Sequence, residues 1–271
     1  PMKYTNSIAG TGIFVRPQAF FVEPTDAGMG LNVIAPIVIS YLYLYEKMYK
    51  FYIAALLFII CLIILRSSSS FVGLFGGVVI SLISYMLFNR KAKRDSSPSV
   101  KKGKGFFALI FISMFIFLFS LFFDQIIQEA AQDFLLKVQL AESSVSASAR
   151  LNGWIDTILI FYNSDSYIFG LGTGYMSVNH ESSFSWFLSV LVENGIVGFS
   201  LFGMVLISSF YRIIKIRSSI KYGLIISLIS VIIHLFTQTG FYAPFLWLIL
   251  VLSQYNWDRL DSFFYKKISK N

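Results

Sequence analysis

Long apolar runs, separated by short polar stretches, dominate the pattern along this chain. Seven runs are long enough to read as membrane-crossing helices: about 29–45, 50–65, 71–88, 105–123, 184–210, 220–236 and 241–255. The second is short, because Phe51–Leu65 would rise only about 22 Å against a hydrocarbon core of about 30 Å. The polar remainder is unevenly spread. Residues 1–28 and 124–183 are the long polar segments, whereas the 237–240 turn predicts a tight antiparallel hairpin. A connector as long as 124–183 is uncommon in a compact protein and points to function. Within it, Leu151, Trp154, Ile155, Ile158, Leu159 and Tyr162 recur at helical spacing, with Asn152, Asp156 and Asn163 among the polar positions. This predicts an amphipathic helix that lies on a leaflet or caps a cavity between spans. Residues 125–140 are a weaker case of the same kind. The expected fold class is an all-α polytopic membrane protein.

Composition agrees with this reading. Of the 271 residues, 56% are hydrophobic and 13% charged, about half the charged share of a soluble domain. The net charge of +8 does not point to nucleic acid, because the basic residues sit between apolar runs, where they set topology. With the 89–104 linker in the cytoplasm, alternation leaves only Lys3, Arg16, Arg66, Lys137 and Arg150 of the 22 lysines and arginines on the outer face. The expected layout is then an outer segment 1–28, four spans in 29–123, an outer loop 124–183, three spans in 184–255 and an inner tail 256–271. The chain opens on Pro1, and residues 1–28 carry no apolar stretch of a signal peptide, so it can be the later part of a longer protein. Cys61, the single cysteine, lies in an apolar run and is expected to pack there.

Outward-facing charges are the candidates for chemistry. Arg66 ends an apolar run just before Ser67–Ser70; it either snorkels to headgroups or binds an anion in a serine-lined cavity. Arg16 lies among Phe14, Phe20 and Phe21, suited to an interfacial lipid phosphate, and Arg150 opens the amphipathic helix. Three outward guanidinium groups suit a phosphate-bearing ligand, because guanidinium pairs bidentately with phosphate oxygens. His180, beside Glu181, is either a general base or an interfacial histidine bonded to backbone. Glu193 is a carboxylate inside an apolar run and faces protein or a water-filled cavity. Gly195 and Gly198 near it permit a helix break or close packing. His234 is expected to be a packing histidine, and two distant histidines without ligand spacing do not make a metal site. Gly170, Gly172 and Gly174 in FGLGTGY lack the strand and helix of a nucleotide loop and predict a tight turn.

Several of these segments, in this order, resemble the Wzy-type O-antigen polymerase and O-antigen ligase superfamily. RLNGW resembles its Arg-x-x-x-Trp at an outer-loop helix, and FGLGTGY its glycine turn. His180 followed by VENGIVG resembles its histidine and Glu-x-Gly-x-x-Gly helix, and RPQAFFVEPTDAG its upstream Arg and Glu-Pro segment. The resemblance implies a cofactor-free, metal-independent, inverting glycosyl transfer on the outer face of a bacterial inner membrane. The donor would be a glycan on undecaprenyl diphosphate, drawn from the membrane lipid, with a chain-length regulator as a candidate protein partner. Arg16, Arg66 and Arg150 would hold the diphosphate, with Trp154 and Gly172 beside the substrate. His180, or Glu193 or Glu23 in its place, would accept the proton. Polymerase and ligase differ only in the acceptor, and the polymerase is favoured. A lipid-linked glycan flippase would instead show polar residues across the bilayer midplane and repeated halves with broken helices. A structural scaffold leaves the outward arginines without a reason.

Overall fold

The computed structural model describes residues 24–65, 67–88, 145–179, 183–237 and 244–259, whose regular elements are all helices, without a strand among them. The helices among the described residues follow in chain order: α1 Pro24–Tyr45, α2 Met48–Leu65, α3 Ser68–Phe88, α4 Val145–Tyr162, α5 Tyr175–Val178, α6 Trp186–Lys215, α7 Lys221–Leu235 and α8 Pro244–Gln254. Six of the apolar runs coincide with helices; the run at 105–123, the weaker amphipathic stretch 125–140 and the 89–104 linker lie outside the described residues. Among the described residues, three helices are long and apolar enough to cross a membrane: Asp26–Tyr45, Ser69–Met86 and Trp186–Lys215. Met48–Leu62, Lys221–Leu235 and Pro244–Gln254 are shorter apolar helices beside them. The protein is an all-α membrane protein.

Helix α7 is the hub. It packs on α1, α3, α6 and α8, and nearly every residue from Tyr222 to Leu235 is buried. A helix apolar on all sides fits only such a central position. Small residues set how closely its neighbours approach. A Cβ on Gly77 of α3 would come within 2.6 Å of the Ile226 carbonyl, and one on Gly73 within 2.9 Å of the Ser230 carbonyl. On the other side, Gly223 of α7 meets Ser40 and Pro36 of α1. Serines tie these close contacts together: Ser227 donates to Val33 O at 2.7 Å and Ser230 to Gly73 O at 2.9 Å. Apolar attraction between helices is weak in lipid, so close packing and interhelical hydrogen bonds of this kind hold such a bundle.

Helix α2 lies at the edge of the bundle. Tyr52, Ile53, Leu56, Leu57, Ile60 and Ile64 are all exposed, as a lipid-facing surface requires. Cys61 belongs to this surface: it is exposed rather than packed, because both sides of a membrane helix are apolar and hydropathy does not tell them apart. At the α6–α7 turn, Asp258 Oδ1 accepts the backbone N–H of Arg217 at 2.9 Å and of Ser218 at 3.2 Å, anchoring the segment after α8.

Helix α6 is broken near one end. Gly195 leaves helical geometry with φ 64° and ψ −169°, a conformation that only glycine adopts readily. From Ile196 to Lys215 the helix rises roughly 30 Å, long enough by itself to cross the hydrocarbon core.

Candidate functional site

The broken end of α6 organises the site. A break in a helix leaves carbonyls and N–H groups without their i, i+4 partners, and buried ones must be satisfied elsewhere. The segment between α4 and α5 supplies the partners. Leu171 N–H donates to Val192 O at 2.9 Å and Gly172 N–H to Glu193 O at 3.0 Å. In return, Ile196 N–H donates to Tyr167 O at 3.0 Å and Val197 N–H to Ile168 O at 3.2 Å. The two backbones approach so closely that a Cβ on Gly170 would strike Glu193, and one on Gly195 would strike Ile168. Gly170, Gly172 and Gly174 all have positive φ (78°, 100° and 89°), which explains the glycine run as a sequence of left-handed turns. Both the N–H and the carbonyl of Gly172 are engaged within the protein, the carbonyl by Tyr175 N–H, so Gly172 shapes the turn.

Glu193 is buried beneath this turn. Its Oε1 accepts the backbone N–H of Met176 at 3.2 Å, at the start of the four-residue helix α5. Beside it, Thr173 donates to Asn194 Oδ1 at 3.4 Å. The glutamate thus sits at the boundary of the apolar bundle and holds the glycine turn to α6.

The amphipathic helix α4 runs from Val145, several residues before the apolar periodicity begins, to Tyr162. Arg150 is half-buried on it. One turn on, Trp154 donates its indole N–H to Phe184 O at 3.4 Å, joining α4 to the segment that leads into α6. Phe184 has φ 47°, the one non-glycine residue at positive φ among those described. Such a backbone costs about 1–3 kcal/mol and persists only where surrounding contacts fix it. Serines fix it here: Ser183 Oγ donates to Ser185 O at 2.6 Å, accepts Ser185 N–H at 3.2 Å and lies 2.6 Å from Ser189 Oγ. Sequence reasoning passed over this serine set, although four serines within 182–189 were its signal.

A second polar group forms where α3 begins. Ser67 Oγ accepts from Ser70 Oγ at 2.8 Å, Ser67 and Ser69 hydroxyls lie 3.1 Å apart, and Ser69 Oγ is 3.2 Å from His234 Nε2. Asn32 donates to Ser70 O at 2.7 Å. These groups are buried between α1, α3 and α7, so His234 is a packing histidine bonded to a serine. Arg16, Glu23, Arg66 and His180 lie outside the described residues. Among the sequence-derived candidates, the structure therefore gathers Trp154, Gly172 and Glu193 around the glycine turn and the broken end of α6, with Arg150 on α4. Among the described residues no cluster of three or more His, Cys, Asp or Glu forms a metal-binding group.

Comparison with known proteins gives one positive result. A protein-family model described as O-antigen ligase matches residues 53–203, from α2 through the broken end of α6. No curated protein and no solved structure matches the chain.

Proposed function

The chain belongs to the O-antigen ligase family, and from that membership we propose that it is a polysaccharide polymerase acting on lipid-linked glycan. Membership carries the coarser conclusion by itself: this is a membrane protein of O-antigen or polysaccharide assembly, in a family of glycosyltransferase-like enzymes. The finer reading is the transfer of a growing glycan from undecaprenyl diphosphate to a lipid-linked repeat unit, on the outer face of a bacterial inner membrane. In this reading the segments 1–28 and 124–183 are extracytoplasmic, and the basic 89–104 linker and the 256–271 tail are cytoplasmic.

The reaction is a displacement at the anomeric carbon. An acceptor hydroxyl oxygen bonds to that carbon from the face opposite the leaving group, so the configuration inverts. The carbon–oxygen bond to diphosphate breaks, undecaprenyl diphosphate departs and the hydroxyl proton passes to a base. His180 takes that role, with Glu193 and Glu23 as the alternatives. Charge developing on the diphosphate is met by Arg16, Arg66 and Arg150, positioned donors being worth most where charge appears in the transition state. The Trp154–Phe184 bond supports Arg150 in this role, because it fastens α4 beside the end of α6 that carries Glu193. The single observation that carries the proposal is the family match over residues 53–203.

The test is complementation of a polymerase-null strain that shares the cognate repeat unit, completed at the N-terminus if the gene is longer. A glycan ladder with wild type that collapses to single repeats with Arg150→Ala supports the polymerase and the arginine. A ladder that survives both Arg150→Ala and His180→Ala removes these residues from the site. No ladder from well-expressed wild type sinks the polymerase. The ligase is the second reading, favoured by the description of the matched family. It would pass the same donor glycan to the lipopolysaccharide core, and would restore core capping in a ligase-null strain.

A further inference from the structure

A cleft of about 670 Å³ opens between α4 and the glycine turn. Gly153, Asp156, Ile160 and Asn163 form one wall and Leu171 and Tyr175 the other. Its volume falls in the range of small-molecule sites, roughly 300–1,000 Å³. The Asp156 carboxylate and the Asn163 amide are exposed and spend no hydrogen bond on the rest of the described protein. Thr157 and Ser164, also in the lining, already donate their hydroxyls to Gly153 O and Phe161 O. The polar groups left over are thus one carboxylate, one carboxamide and the hydroxyl of a half-buried tyrosine, Tyr175.

The helix places this cleft relative to lipid. Leu151, Ile155, Ile158 and Tyr162 recur at three- and four-residue spacing and are all exposed, from 37% for Leu151 to 72% for Tyr162. An exposed apolar stripe of this kind lies on a membrane surface. The cleft wall is set one or two residues off the stripe, and Asp156 and Asn163 lie roughly 110–130° around the helix from its centre. Asp156 and Asn163 therefore sit on the flank of α4 above the stripe, turned out of the apolar layer.

We propose that this cleft binds a glycan segment of the lipid-linked substrate, remote from its diphosphate, with Asp156 and Asn163 pairing with sugar hydroxyls and Tyr175 covering an apolar sugar face. The assignment rests on the glycan-transfer reading above and adds to it a specificity site. Carboxylate and carboxamide groups match vicinal hydroxyls in both donor and acceptor capacity, and an aromatic ring matches the C–H face of a pyranose. The charge selects against the other end of the substrate: Asp156 repels phosphate, so the diphosphate belongs with the arginines and the sugars belong here.

The test uses the full chain in lipid nanodiscs. The probe is the repeat-unit saccharide released by mild acid from the lipid-linked material that accumulates when this gene is deleted. Saturation-transfer NMR is expected to show saccharide bound to wild type and to Glu46→Gln, a surface variant far from the cleft. Asp156→Asn and Asn163→Ala are each expected to weaken binding about tenfold, the worth of one hydrogen bond to a charged or well-placed polar group. Both residues are exposed, so the fold tolerates either change, and an unshifted melting temperature verifies this. Saccharide binding equal in wild type and both cleft variants overturns the cleft while leaving glycan transfer standing. Failure of lipid-linked material to accumulate in the deletion strain overturns glycan transfer, and the cleft assignment with it.

Discussion

The Glu193 carboxylate accepts the Met176 backbone N–H at 3.2 Å, so a side chain buried in α6 caps the short helix that follows the glycine turn. This geometry separates two roles for Glu193. Glu193→Gln keeps an acceptor oxygen and is expected to keep both stability and the glycan ladder. Glu193→Ala leaves the N–H unsatisfied and is expected to cost about 1.5–3 kcal/mol. Melting temperature and ladder length, measured together, decide it. Loss of the ladder with both substitutions at unchanged stability would make Glu193 the proton acceptor instead.

Gly195 and Gly203 lie on the same helix and predict opposite outcomes. Gly195→Ala forces a side chain into φ 64° and against Ile168 O, costing about 1–3 kcal/mol from backbone strain alone. Gly203 is helical with open space around its Cβ position, so Gly203→Ala is expected to be neutral or to stabilise by about 0.5–1 kcal/mol. Thermal unfolding in detergent, compared across the pair, reads the difference.

At the α3–α7 contact, closeness matters more than the hydrogen bond it permits. Ser230→Ala removes the bond to Gly73 O and is expected to cost only about 0.6 kcal/mol, the average for such bonds in membrane proteins. Gly77→Ala pushes the helices apart at Ile226 O and is expected to cost about 1–3 kcal/mol. Equal effects in a denaturation series would mean that the serine bonds, not the glycines, set the spacing.

Cys61, the single cysteine, reports which face of α2 meets lipid. In intact membranes it is expected to resist a charged, water-soluble maleimide and to react fully once the protein is denatured. Rapid labelling by the charged reagent before denaturation would place α2 against water.

Much of the architecture was legible from hydropathy, because a bilayer imposes long apolar runs and helices on whatever crosses it. The amphipathic helix was legible for the same reason: Leu151, Ile155, Ile158 and Tyr162 mark one face by their spacing. The break at Gly195 was flagged by a glycine beside a charge in an apolar run. Its partner was not, because the bonds joining residues 167–172 to residues 192–197 run between backbones and leave no side-chain signature. Cys61 was misplaced because an apolar run does not tell lipid from protein. The cleft was half legible: Asp156 and Asn163 stood out as polar positions, but nothing in the sequence set Tyr175 opposite them.

The joint between the glycine turn and α6 is made of main-chain atoms, and amide groups are the same whatever side chain they carry. Tyr167, Ile168 and Phe169 are 43%, 59% and 75% exposed while their backbones hold the joint or adjoin it. Apart from the glycines, from Tyr167, whose hydroxyl donates to Tyr162 O, and from Thr173, which donates to Asn194, the turn behaves as an interchangeable faceplate. Outward side chains such as Ile168 and Phe169 are free to vary while the frame beneath keeps its shape. A membrane enzyme assembled in this way could change what it recognises without having to be refolded.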